Sequence, residues 1–329
     1  MLDRGDVVRP IRYHFGMLSV LLGMAAIIAI GVCWRLILKE KAADAIRAHL
    51  AQAVYQIFLP ALVLHVLWQT PVDLNSVRLP LVSAIAVLIS LLLAALVYGS
   101  GWLIRACMGA HYHANRAIGA LLLASAFGNF TYLGLPVLTQ AFGPWAQMVA
   151  IHFDLLASTP LLFTVGVLVA QYYGQSAGEA RAFLGLLRVP AVWAAVAGLL
   201  LSALHLPQPA WLDESLATLG SAVVPLMLLS VGMALRWQRG WGGRLPVLVP
   251  VLLIQLVVMP LVAWAASVGV GMPQRLLPPS VIEGAMPTMV LGLVICDRFR
   301  LDTSLYAEAV TLSTIVSMLT LPLWLRIVV

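Results

Sequence analysis

Two carboxylic acids, Asp154 and Glu283, sit inside long apolar stretches of this chain. A charged side chain at the centre of a bilayer costs about 3 kcal/mol on insertion scales, so such residues are functional candidates by default. Each can pair with a cation, take up protons or stay protonated. His152 lies two residues before Asp154, and Glu283 comes shortly before Pro287. Glu308, near the start of the last apolar stretch, reads as an interface residue. His65 reads as a hydrogen-bonded structural histidine.

The main chain offers a second chemistry. Phe127-Gly128-Asn129-Phe130-Thr131-Tyr132-Leu133-Gly134-Leu135-Pro136 interrupts one apolar segment, and Glu283-Gly284-Ala285-Met286-Pro287-Thr288 interrupts another. Proline removes a backbone donor and clashes with the preceding turn, and glycine lets the chain unwind. Freed backbone groups are tolerated at membrane depth only where protein buries them or where they line a wet cavity. An interrupted helix has two extra ends. Its N-terminal ends carry partial positive charge that suits an anion, and its unwound carbonyls suit a cation or a proton relay. Asn129 and Thr131 add polar side chains to the first interruption, and Thr288 adds one to the second. The candidate substrate-binding residues are therefore Gly128, Asn129, Thr131, Gly134, Pro136, Gly284, Pro287 and Thr288, with Asp154 and Glu283 as coupling-ion or proton candidates.

Other features carry less. His111 and His113 lie in a polar loop without a third ligand, so they do not form a metal site. Cys33, Cys107 and Cys296 are dispersed and odd in number, which argues against a disulfide framework. Gln255 and Ser230 read as lone polar residues that bond a neighbouring helix. The ten tryptophans fall mostly near the ends of apolar runs, as interfacial anchors do. There is no G-x-x-x-x-G-K-[ST], H-E-x-x-H or G-x-S-x-G stretch, so neither an ATP motor nor a hydrolase of those kinds is encoded, and enzyme activity is not expected.

The elements that must position these residues are long helices. The chain has 329 residues, is 62% hydrophobic, has a mean hydropathy of +1.00 and is only 10% charged. A soluble domain carries about 25% charged residues. The chain is thus a polytopic all-α membrane protein. Its net charge of +6 comes from basic residues scattered singly between apolar runs, which excludes a nucleic-acid stripe. Apolar runs of about 20 residues predict ten spans, at 15–37, 49–69, 79–104, 115–141, 145–173, 184–205, 211–235, 245–270, 275–299 and 302–328. Residues 1–14 read as an N-terminal extension. The loops after the odd spans hold 13 of the 19 basic residues. The positive-inside rule then puts those loops in the cytoplasm and both termini outside.

The ten spans divide into a first repeat, 15–175, a polar linker, 176–183, and a second repeat, 184–329. An odd number of spans per half inverts the second half relative to the first. The interruptions fall in the fourth span of each half. Span two carries Phe58-Leu59-Pro60-Ala61-Leu62 and span seven carries Val223-Val224-Pro225-Leu226-Met227, in corresponding positions. Paired interruptions of this kind are the best sequence pointer to a transporter's binding site.

These motifs, with Gly232 and the closing Leu312-Ser313-Thr314 through Leu319-Thr320-Leu321-Pro322-Leu323-Trp324, resemble the auxin efflux carrier family. The likeness is to its short bacterial members described as malate or malonate permeases, and it runs over nearly the whole chain. It implies a ten-helix carrier with a scaffold and a transport domain, and a crossover in spans four and nine with Pro136 and Pro287. The chain departs from the pattern in one place: relatives commonly have an asparagine after the second crossover proline, where Leu291 and Gly292 stand here. That departure puts a shared amide-based ligand site in doubt.

The expected function is a secondary carrier for a small organic anion such as a carboxylate. It would work by alternating access in the bacterial inner membrane, without a bound cofactor, coupled to protons, to sodium or to neither, with a homodimer as the candidate assembly. A sodium-coupled symporter of the bile-acid type would need more carboxylates and amides around the crossing than Asn129, Glu283 and Asp154. A non-transporting membrane sensor would bind ligand without flux.

Overall fold

A computed structural model describes residues 10–109, 114–174, 187, 189–234 and 244–329. The 176–183 linker, most of the 1–14 extension, His111 and His113 lie outside the described residues. Thirteen helices account for nearly all of the rest: α1 (Pro10–Ile37), α2 (Glu40–Gln69), α3 (Asn75–Tyr98), α4 (Trp102–Met108), α5 (Ala114–Ala126), α6 (Leu135–Phe142), α7 (Pro144–Tyr173), α8 (Pro190–Ala203), α9 (Ala210–Ala234), α10 (Leu245–Gly269), α11 (Leu277–Gly284), α12 (Gly292–Arg298) and α13 (Thr303–Val328). Among the described residues there is no strand. Six helices, α2, α3, α7, α9, α10 and α13, are long and apolar enough to cross a membrane.

Several expected boundaries shift, and α1 and α2 begin at Pro10 and Glu40 rather than near 15 and 49. The third segment ends at Tyr98 rather than near 104, because Gly101 takes a left-handed turn (φ 65°) and redirects the chain into the short α4. The described helix of the sixth segment is Pro190–Ala203, with a proline in its first turn, where a missing N–H costs nothing.

Prolines shape the long helices in a repeated way. Wide π turns at Val54–Phe58, Phe130–Gly134, Asp154–Ser158 and Ile254–Val258 each precede a proline by two residues: Pro60, Pro136, Pro160 and Pro260. The residue after each turn donates its N–H five positions back, as Leu59 does to Val54 and Thr159 to Asp154. A proline ring collides with the carbonyl four residues earlier in a regular helix. The wide turn moves that carbonyl aside, so the helix continues through the proline.

Packing separates two groups of helices. In the first, α8 lies along α2, α9 also packs on α2, and α1 runs along α9. The α1–α9 contact is close because Gly31 faces Gly232: a Cβ on Gly31 would lie 2.3 Å from the Leu229 carbonyl, and one on Gly232 2.1 Å from the Ile28 carbonyl. Small residues that let helix backbones touch are a main source of helix association in membranes. The second group joins α3, α5, α7, α10, α11 and α13. The interrupted segments belong to this second group, and the π turn of the first interruption, Phe130–Gly134, faces the first group through α9.

Candidate functional site

Helix α5 stops at Ala126 and α11 at Gly284. Beyond these ends the two chains run antiparallel and pair through the backbone. Asn129 N–H donates to the Pro287 carbonyl (2.7 Å), and Met289 N–H donates to the Phe127 carbonyl (3.0 Å), forming an isolated bridge between Gly128 and Thr288. A helix cannot make these bonds; proline and glycine free the groups that do. Gly128, Asn129, Thr131, Gly134, Pro136, Gly284, Pro287 and Thr288 are thereby brought into one region, all of them buried.

The main-chain groups freed at the second interruption meet side-chain partners. The Met286 carbonyl accepts from Gln255 Nε2 (2.9 Å), Thr288 N–H donates to Ser313 Oγ (3.1 Å), and the Met289 carbonyl accepts from the Tyr306 hydroxyl (2.9 Å). Thr288 Oγ1 donates across the crossing to the Ala124 carbonyl, near the end of α5 (2.8 Å). The Tyr306 ring lies directly on Gly292, where a Cβ would stand 1.9 Å from its hydroxyl. The glycine at this point is what admits the tyrosine.

The first interruption keeps unused polar groups. Its main chain is closed by the π turn, with the Asn129 carbonyl accepting from Leu133 and Gly134 N–H (3.1 and 3.0 Å). The Asn129 side-chain nitrogen, however, has no partner although the residue is only 2% exposed. A buried amide left unsatisfied costs about 1–3 kcal/mol, so one in a native site calls for an explanation. Asn129 lines a cavity of about 40 Å³ together with Tyr55, Thr131, Asp154, Thr159 and Ala191. Among the described residues, none that lines it is basic. Val189 and Ala191, at the N-terminus of α8, form part of the wall.

Asp154 reaches this cavity from the first residue of a π turn in α7. Thr159 Oγ1 donates to its Oδ1 (2.7 Å), and the Thr131 hydroxyl, from the first interruption, donates to its Oδ2. The pairing with Thr159 spans five residues, the spacing a π turn aligns. Glu283 is placed differently. It is fully buried in α11, neither carboxyl oxygen has a hydrogen-bond partner, and the carboxyl lies against the backbone of Gly134, where a Cβ would be 2.0 Å from Oε2. Asp154 and Glu283 thus flank the first interruption, Asp154 in the cavity wall and Glu283 beside Gly134.

The remaining candidates have structural partners. Glu308 is bound by Arg244 (2.8 Å), which also reaches Ser304, so it ties α13 to the start of α10. His65 lies 2.8 Å from Asp213 and joins α2 to α9. His152 Nδ1 bonds the Met148 carbonyl one turn back (2.7 Å). Gln255, read from the sequence as a lone helix-bonding residue, serves the second interruption itself. Tyr306 and Ser313 were not among the candidate site residues. Their signal is a polar stripe: Tyr306, Ser313 and Ser317 recur at helical spacing on a single face of α13, and all three are buried.

A wider opening of about 510 Å³ lies at the α2–α3 connection, lined by His65, Gln69, Asp73, Trp145 and Arg275 among others. The Arg275 guanidinium stacks over the Trp145 ring, 4.1 Å from its centroid.

Interrupted helices meeting inside a bundle of long apolar helices define a multi-pass membrane transport protein. The family model described as membrane transport protein matches residues 25–325, and the chain belongs to that family, the auxin efflux carrier family. An uncharacterized transporter of Methanothermobacter thermautotrophicus is 30% identical over 206 residues, 62% of this chain and 66% of that protein. An uncharacterized transporter of Methanocaldococcus jannaschii is 27% identical over 224 residues, 64% of this chain and 68% of that protein. The chain therefore spans just under two thirds of the first relative's length and slightly more of the second's.

Proposed function

We propose that this protein is a secondary transporter that carries a small organic anion by alternating access around the crossing of its two interrupted segments. The observation that carries the reading is the unpartnered Asn129 amide in the cavity beside the antiparallel bridge. An amide N–H donor and the N-terminus of α8 converge there, and each can bind a carboxylate oxygen. A cavity of about 40 Å³ has room for a few water molecules and not for a dicarboxylate. The conformation described is accordingly the closed one, and loading requires the walls to part.

The two helix groups supply the motion in this reading. The α1, α2, α8 and α9 group acts as scaffold, and the α3, α5–α7 and α10–α13 group carries the crossing past it. Transport also needs a site that favours neither face strongly, because a site held in one state cannot cycle. The ten segments would form two inverted five-span repeats, 15–175 and 184–329, with both termini outside the plasma membrane. The scaffold group is where a homodimer would pair.

The test is uptake by vesicles or proteoliposomes. Asn129→Ala and Pro136→Ala are expected to cut uptake of dicarboxylates at least about tenfold while membrane insertion persists. Wild-type uptake by both variants would remove the crossing as the substrate site.

A further inference from the structure

The central cavity poses a charge problem for an anion. Among the described residues no basic side chain lines it, and one carboxyl, Asp154, does. We propose that Asp154 is the proton carrier of this transporter, loading one proton with each organic anion; the proposal rests on the anion-transport reading above.

The geometry supports a specific exchange. Both hydroxyls that reach Asp154, those of Thr131 and Thr159, donate to it when it is ionised, and Asp154 then acts only as an acceptor. A proton arriving on Oδ2 reverses the first of these bonds. Asp154 then donates to Thr131 Oγ1, and the Thr131 hydroxyl turns its own hydrogen toward the cavity. An anion oxygen accepts that hydrogen alongside the free N–H of Asn129. The proton enters from water on one face, stays on Asp154 during the passage and leaves to water on the other face. Threonine keeps its own proton throughout. One event thus removes negative charge from the wall and adds a donor to the site.

Thr131 belongs to the π turn of the first interruption, so the exchange acts on the interrupted segment itself. Thr159 holds the carboxyl in place through the five-residue spacing of the α7 π turn. Among the described residues, the titratable groups within electrostatic reach of Asp154 are Tyr55 from α2, Tyr132 from the first interruption and Glu283 from α11, and Arg47 of α2 acts in turn on Tyr132. Helix α3 contributes Ser83, bonded to the Phe153 carbonyl, and α8 has no ionisable side chain. His152, on the same helix as Asp154, is tied to Met148 and feels Asp73. Glu283 is therefore the rival carrier, but it has no hydroxyl partner through which a proton would change the cavity.

Infrared difference spectroscopy on the reconstituted protein tests this without substrate. Acidification should produce the carbonyl stretch of a protonated carboxyl that disappears in Asp154→Asn and persists in Glu283→Gln. The reverse pattern overturns the proposal. Proteoliposomes with radiolabelled malate or malonate give the second readout. An acid-outside gradient of about one pH unit should raise wild-type accumulation about tenfold for one proton per anion, while an equal sodium gradient should not. In Asp154→Asn the dependence on the pH gradient should vanish. Persistence of that dependence, or accumulation driven by sodium in its place, overturns the proposal. Thr159→Val keeps Asp154 and should lose gradient dependence, with Thr159→Ser restoring it. If wild-type protein exchanges no dicarboxylate in symmetric buffer while the infrared band still depends on Asp154, the anion reading fails and the proton site stands.

Discussion

The two interruptions look alike in sequence and differ in how completely their polar groups are used. Around the second, Gln255, Ser313 and Tyr306 each supply a side-chain partner to a main-chain group that the break frees. Around the first, a π turn closes the main chain, and the Asn129 amide nitrogen and the Asp154–Thr131 pair are left facing a cavity. A satisfied network fixes one arrangement, and a partly satisfied one has capacity for a ligand. In the proposed mechanism the second interruption serves as the anchor and the first as the working surface. Substitutions should separate accordingly, into losses of stability on one side and losses of transport on the other.

The largest effect is expected at the anchor. Gly292→Ala puts a Cβ 1.9 Å from the Tyr306 hydroxyl, whose ring is fully buried and cannot step aside. Overpacking costs about 1–3 kcal/mol and losing the bond to Met289 about 1 more. Thermal unfolding in detergent should show a clear drop in midpoint. Tyr306→Phe combined with Gly292→Ala should recover part of it by removing the clashing oxygen.

On the working surface, Asn129→Ala should do the opposite. Its amide nitrogen bonds nothing in the closed protein, so the unfolding midpoint should hold near wild type. A hydrogen bond to a charged ligand contributes about 1.5–3 kcal/mol, so kcat/KM for a dicarboxylate should fall roughly 10- to 100-fold. A large stability loss with transport intact would erase the distinction between the two interruptions.

Gln255→Leu is the sharper test of the anchor, because it is nearly isosteric and leaves the Met286 carbonyl without its donor. An unsatisfied buried carbonyl costs about 1–3 kcal/mol. The expected result is a lowered unfolding midpoint with substrate KM unchanged. A changed KM at wild-type stability would move Gln255 from the anchor to the binding site.

The sequence carried the working surface better than the anchor, for physical reasons. An all-helical multi-pass protein is legible from runs of apolar residues alone, since lipid demands them. The interruptions announce themselves through glycine and proline, and Asn129, Thr131 and Asp154 stand out as polar residues where polarity is costly. Gln255, Ser313 and Tyr306 look like the scattered polar residues of any membrane helix. Their role depends on which helix passes behind the second break, and no local pattern encodes that. The π turns were hidden for a related reason. A proline in an apolar run signals a disturbance, but the same signal serves a kink, a break or a widened turn. Pro60, Pro160 and Pro260 leave their helices continuous, whereas the chain at Pro287 is unwound. The end of the third segment at Tyr98 turned on the left-handed Gly101, a conformation the hydropathy run does not report.

The smallest expected effect lies outside both interruptions, at the opening lined by Arg275. Its guanidinium is exposed and held over Trp145, where it can meet an approaching anion without belonging to the central cavity. Exposed charge interactions contribute at most about 1 kcal/mol and are screened over about 10 Å at 0.1 M salt. Arg275→Gln should therefore raise KM only a few-fold, leave kcat unchanged and lose its effect as salt rises. A kcat defect that persists in high salt would mean that Arg275 acts on the closing motion. The vestibule would then be part of the moving machinery, and the contrast between anchor and working surface would have to be extended to a third region.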